Sequence, residues 1–111
     1  MSSKQAVIDY EPINDVTVVG RLGGDSTQRD LPSGDVVVTC RIIVPRPDGR
    51  VDTLDCAIWT AALRKRVMAW QQGDVVELHG SLHRRFWRGA AGPASRYEIT
   101  VTSAKRLLKA G

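Results

Sequence analysis

Apolar and polar residues alternate with a period of two over five stretches of this chain, and the period changes once. The stretches are 16–21 (VTVVGR), 36–44 (VVVTCRIIV), 51–59 (VDTLDCAIW), 75–86 and 96–102 (RYEITVT), all rich in valine, isoleucine and threonine. Such runs fit a pleated, half-buried surface and predict strands. Between the third and fourth, Leu63, Val67 and Trp70 fall at i, i+4 and i+7, one stripe of a helix over 60–72. Thr60 is placed to cap its start and Gly73 to close its end, with Arg64, Lys65 and Arg66 toward water and Trp70 in the core. LPSG (31–34) and RPDGR (46–50) carry the proline and glycine of turns, and RGAAGPAS (88–95) reads as a hairpin tip.

The order is strand, strand, strand, helix, strand, strand. It predicts an all-β domain with one helix: a five-stranded Greek-key OB-fold barrel, the helix between strands 3 and 4. A generic small α+β sheet is the alternative.

The hairpin around RPDGR sorts its two faces if it is symmetric about Asp48. Cys40 then faces Cys56, Ile42 faces Leu54 and Val38 faces Ile58, which with Val36 and Val44 makes a barrel-core face. The other face carries Val37, Thr39, Arg41, Ile43, Thr53, Asp55, Ala57 and Trp59, with Arg41 opposite Asp55. A shift of one residue would set charges beside core residues. In the fourth strand, Val76, Leu78, Gly80 and Leu82 point one way. Glu77, His79, Ser81, His83, Arg85 and Trp87 point the other. Trp59 and Trp87 both fall on a polar face, while the parity of Phe86 points inward.

Composition sharpens this picture. The 111 residues, 42% hydrophobic and 25% charged, suffice for one domain with its own core. The expected organisation is a loose arm over 1–12, the barrel over 13–104 and a short basic tail over 105–111. Net charge is +4, and twelve of the sixteen basic residues are arginine, whose planar fork suits phosphate and whose flat face suits bases. No apolar run is long enough to span a membrane, and the N-terminus lacks a signal-peptide pattern, so a cytoplasmic location is expected. The two cysteines are expected to be free, buried thiols.

Trp59 and Trp87 are the candidate base-stacking side chains. Arg84, Arg85, Arg88 and Arg96, clustered about Trp87, are candidate phosphate contacts, helped by Arg21 and Arg41; Arg29 is a lesser candidate. Nothing converges as a nucleophile–base set or a carboxylate pair, so no enzyme and no cofactor is expected. His79 and His83, four apart on a strand, lie about 13 Å apart and do not share a metal.

These residues resemble the bacterial single-stranded DNA-binding proteins. The stretch 14–42 is similar to that family's opening, with Val-Gly-Arg-Leu closing the first strand and Arg29, Pro32, Ser33 and Gly34 in its turn. Residues 55–88 resemble its next block and 96–101 its last strand. The resemblance covers about 13–103. It implies binding of single-stranded DNA without strict sequence preference, in an accessory role in replication, repair or recombination. The family's stacking aromatics carry over at Trp59 and Trp87 only; two others fall at Thr53 and near 44–46. The resemblance further implies a homotetramer and, since the chain stops at Gly111, a short paralogue lacking the acidic tail that recruits replication proteins. An OB-fold protein-interaction module, or a mixed-assembly partner of another such protein, is the alternative; RNA binding is a third reading.

Overall fold

The computed structural model describes residues 9–111; the first eight residues of the expected arm lie outside it. The elements are β1 (Val16–Leu22), β2 (Thr27–Asp30), β3 (Val36–Pro45), β4 (Val51–Ile58), α1 (Ala61–Met68), β5 (Val75–Gly89) and β6 (Gly92–Leu108). All strands form one sheet in the order β1-β5-β6-β4-β3-β2. β1 lies antiparallel to β5 over residues 16–21 and then pairs with β3 at Arg21 and Leu22. That double pairing closes five strands into a barrel, with β2 on the outside as an edge against β3. The helix follows the third barrel strand. The molecule is an all-β OB-fold with one helix, as the element order predicts.

The predicted register of the first hairpin is the observed one. Cys40 pairs with Cys56, Ile42 with Leu54, Val38 with Ile58 and Arg41 with Asp55. The core cluster gathers Leu22, Ile42, Ile58, Leu63, Val67, Trp70, Val76, Leu78, Ile99 and Val101, all at most 8% exposed. Cys40 and Cys56 are free thiols inside it. A hydrogen bond with Cys40 and burial together push the Cys56 thiol up.

Two glycines let strands approach where a side chain would collide. A Cβ on Gly20 would lie 2.3 Å from the Ile43 carbonyl oxygen, where β1 passes from β5 to β3. One on Gly80 would lie 1.9 Å from the Thr100 oxygen, at the bulge that shifts β5 against β6.

The structure corrects several boundaries. α1 ends at Met68 rather than near Gln72, because Ala69 and Trp70 donate to Arg66 and Val67 in a tighter i→i+3 turn. Trp70 is still buried, at 8% exposure. Thr60 is the N-cap residue, but its side chain makes no capping bond. β2 (TQRD), fully exposed, has no apolar pattern to announce it. The hairpin tip is far shorter than 88–95: β5 and β6 stay paired to Gly89 and Gly92. β6 also continues beyond 102 to Leu108, against Val75, so residues 105–108 are strand.

Asp74 anchors that last stretch. It is fully buried, and its carboxylate accepts from the Ala110 N–H at 2.7 Å and the Gln71 N–H at 3.0 Å, with Arg106 Nη1 at 3.5 Å. These bonds, Ala110 and Gln71 foremost, hold its carboxyl below the usual carboxylate range. A folded-state pKa below the unfolded value of about 3.9 adds stability above that value, lost as pH falls through the folded one. The expected result is a melting temperature that drops on acidification below about pH 4. Asp74→Asn removes that component, and calorimetry across this range that shows the same pH profile in both proteins refutes the assignment.

Candidate nucleic-acid interface

One curved outer face runs across β5, β6, β4, β3 and β2, and alternation along each strand decides what it carries. Trp59, half-buried, follows the end of β4, beside Val37 in the hairpin register. Val37 in turn pairs with Arg29 of β2. The next row is Thr27, Thr39, Ala57 and Thr100, then Arg41 with Asp55, their Nε–Oδ1 distance 3.3 Å. Val37 and Ala57, expected on a polar face, are completely buried. Arg21 pairs with Ile43 and joins the same face. Glu98 follows on β6, then Arg96 opposite Arg85, and Ala94 opposite Trp87. Ala94 and Thr100 are six positions apart on β6, roughly 20 Å of strand. The two tryptophans therefore stand at opposite ends of the face.

Beyond Leu82, β5 and β6 leave the barrel as a two-stranded arm. Leu82 is 45% exposed, Trp87 44%, Tyr97 59% and Phe86 69%. There is no interior at that height, so the inward parity of Phe86 leads to solvent. The arm has two unlike sides. On one, the Arg96 guanidinium lies 5.7 Å from the Trp87 ring centroid, with Arg85 beside it. On the other, Arg84 lies 5.0 Å from the Phe86 centroid and 5.6 Å from that of Tyr97. Arg84 also donates to Ser95 Oγ from Nε at 3.3 Å and Nη2 at 3.1 Å. Arg88 shares this second side by alternation. The residues of RRFWR that look like one cluster in sequence are thus divided back to back. Tyr97 was missed by sequence reasoning, because the expected long tip hid its pairing with Arg84.

Acidic groups hold some of the candidate arginines. Glu98, 5% exposed, sits with Oε1 3.5 Å from Arg85 Nη1 and Oε2 3.9 Å from Arg96 Nη2. Among the described residues, Arg21, Arg29, Arg84 and Arg88 have no carboxylate at ion-pair distance. A cleft of about 310 Å³ opens between the loop after β1 and β6, with Arg41, Asp55, Arg96 and Glu98 in its walls. His79 and His83 engage separate neighbours: Glu77 and Thr17 for the first, Ser81 for the second.

Comparison with known proteins fits this geometry. The chain is similar in fold to the structure described as "Plasmodium falciparum SSB complex with ssDNA". The identity is 19%, with 90% of this chain and 99% of the other covered and a TM-score of 0.72. No curated protein matches the sequence. A sequence profile of the single-strand binding protein family matches residues 13–107, which is nearly the whole barrel and its arm. The chain therefore belongs to the single-strand binding protein family.

Proposed function

We propose that this protein binds single-stranded DNA with little sequence preference, bases stacking on Trp87 and Trp59 and arginines holding phosphates. The observation that carries the reading is Trp87 itself. A 44%-exposed tryptophan on a paired, protruding arm, at one end of an arginine-bearing barrel face, keeps an exposed π-surface beside the Arg96 guanidinium and has no core to fill. Stacking serves every base alike, because each presents a π-face. Arg21, Arg41, Arg85 and Arg96 lie along the face, with Arg84 and Arg88 on the far side of the arm. The role is non-catalytic, accessory to replication, repair or recombination, and family membership supports assembly of several copies.

A second reading, a protein-binding OB module, draws on Phe86 and Tyr97, exposed together on the arm's far side. Titration with oligo-dT separates the two. Expected are deep quenching of tryptophan fluorescence and a log–log salt slope near −3 if about four phosphates are neutralised. An unchanged emission with no binding at low salt rejects the DNA reading and leaves the arm to a protein partner.

A further inference from the structure

Cys40 and Cys56 face each other across β3 and β4, and DNA binding has no use for them. Directly opposed residues of an antiparallel pair have Cα atoms about 4.5–5.5 Å apart, inside the roughly 4.4–6.8 Å that a disulfide spans. Both side chains belong to the core cluster, on the same side of the sheet, and the two sulfurs share a hydrogen bond. The Leu54 carbonyl oxygen competes for the Cys56 proton from 3.8 Å. Thiols so placed need little backbone movement to join.

The pair also has a route to solvent. Both cysteines line the cleft of about 310 Å³ between the loop after β1 and β6. Cys40 is 7% exposed and Cys56 1%, so a small molecule entering there meets Cys40 first. The chemistry of the two sulfurs points the same way. The hydrogen bond from Cys56 holds the Cys40 thiol below its ordinary value, against the opposing effect of burial. The same bond raises Cys56, as do burial and the negative charges of Cys40, Asp55 and Glu98. The thiolate is the nucleophile of a thiol, so Cys40 is the one that attacks. Such slight exposure suits a peroxide, which is little larger than water, and not the thiols of another protein.

We propose that Cys40 and Cys56 form a reversible disulfide site oxidised by peroxide, with Cys40 attacking and Cys56 resolving. The Cys40 thiolate attacks one peroxide oxygen: an S–O bond forms, the O–O bond breaks, and hydroxide leaves and takes up the Cys40 proton as water. The Cys56 sulfur then attacks the Cys40 sulfenic acid. The S–S bond forms, the S–O bond breaks, and the hydroxyl leaves with the Cys56 proton as a second water. Peroxide gains two electrons, one from each sulfur. This second step is internal, so the burial of Cys56 does not hinder it, and it draws the sulfenic acid off before further oxidation. A small dithiol reverses the reaction by thiol–disulfide exchange. The bond would close the hairpin from 40 to 56, a loop of about 15 residues, and raise the unfolding temperature by on the order of 10 °C.

The test treats the folded full chain with hydrogen peroxide, then unfolds it in the presence of an alkylating reagent and measures its mass. Expected are a single chain lighter by two hydrogens, no alkylation, and a proteolytic fragment joining Cys40 to Cys56. Dithiothreitol should restore two alkylatable thiols and the lower unfolding temperature. Two free thiols after treatment, a sulfinic acid on either cysteine, a disulfide between chains, or oxidation only in urea each overturn the proposal. Cys56→Ala should stop at a Cys40 sulfenic acid that dimedone captures, and Cys40→Ala should react at least about tenfold more slowly, as expected for a thiol held protonated. Equal rates in the two variants overturn the assigned order. The mass of the unmodified protein decides the disulfide itself even where either variant folds poorly.

Discussion

Trp87→Ala is expected to weaken oligo-dT binding by roughly tenfold to a hundredfold, since stacking on one aromatic is worth about 1–3 kcal/mol per base. The side chain is nearly half exposed on an arm outside the barrel, so its loss empties no core cavity. The melting temperature should stay close to that of the parent protein, which separates lost binding from lost folding. Trp87→Phe should retain most of the affinity, because a smaller π-face remains. Trp59→Ala should cost less, because Trp59 is half-buried and presents less of its ring. Isothermal titration of the three variants gives the ranking. Full affinity in Trp87→Ala would remove the aromatic arm from the DNA path.

Gly80→Ala should be the most damaging small substitution in the barrel. The added carbon would sit 1.9 Å from the Thr100 oxygen, 2.8 Å from its carbonyl carbon and 3.1 Å from Val101 Cα, all backbone. No rotamer relieves a backbone collision, so β5 and β6 must separate at the bulge. Overpacking of this kind costs about 3 kcal/mol or more. For a domain of this size that is a melting-temperature drop on the order of 10–20 °C. Gly24→Ala is the control: nothing lies within 4 Å of its Cβ position, and the change should be neutral or slightly stabilising. Thermal unfolding that leaves Gly80→Ala and Gly24→Ala alike would show that the strands do not approach so closely in solution.

Much of the architecture was legible from alternation. The symmetric hairpin around Asp48 follows from a single rule: only one register keeps Cys40, Ile42, Cys56 and Leu54 on one face while setting Arg41 against Asp55. The helix was legible by its stripe, and Trp70 by its place on it. Elements without an apolar–polar rhythm stayed hidden. β2 is four exposed residues, and its pairing with β3 is set by the turn at Gly34, φ 93°, rather than by its own side chains. The strands past Arg88 are built of small residues and a proline, which look like loop until pairing is seen. The site was half legible for the same reason. Parity assigned Trp59, Trp87, Arg41 and Arg85 to one face. It gave no sign that the barrel ends below Phe86, nor that Glu98, on another strand, lies beside both Arg85 and Arg96.

The two unlike sides of the arm constrain how its length can vary. Each added cross-strand pair turns every residue beyond it to the opposite side. One extra pair between Leu82 and Phe86 would carry Trp87 away from the arginines of the barrel face and bring Phe86 over to them. Two extra pairs would restore the arrangement and lift the tryptophan by roughly 7 Å. Insertions and deletions here are therefore tolerated in even steps, and odd ones exchange the roles of the two aromatics.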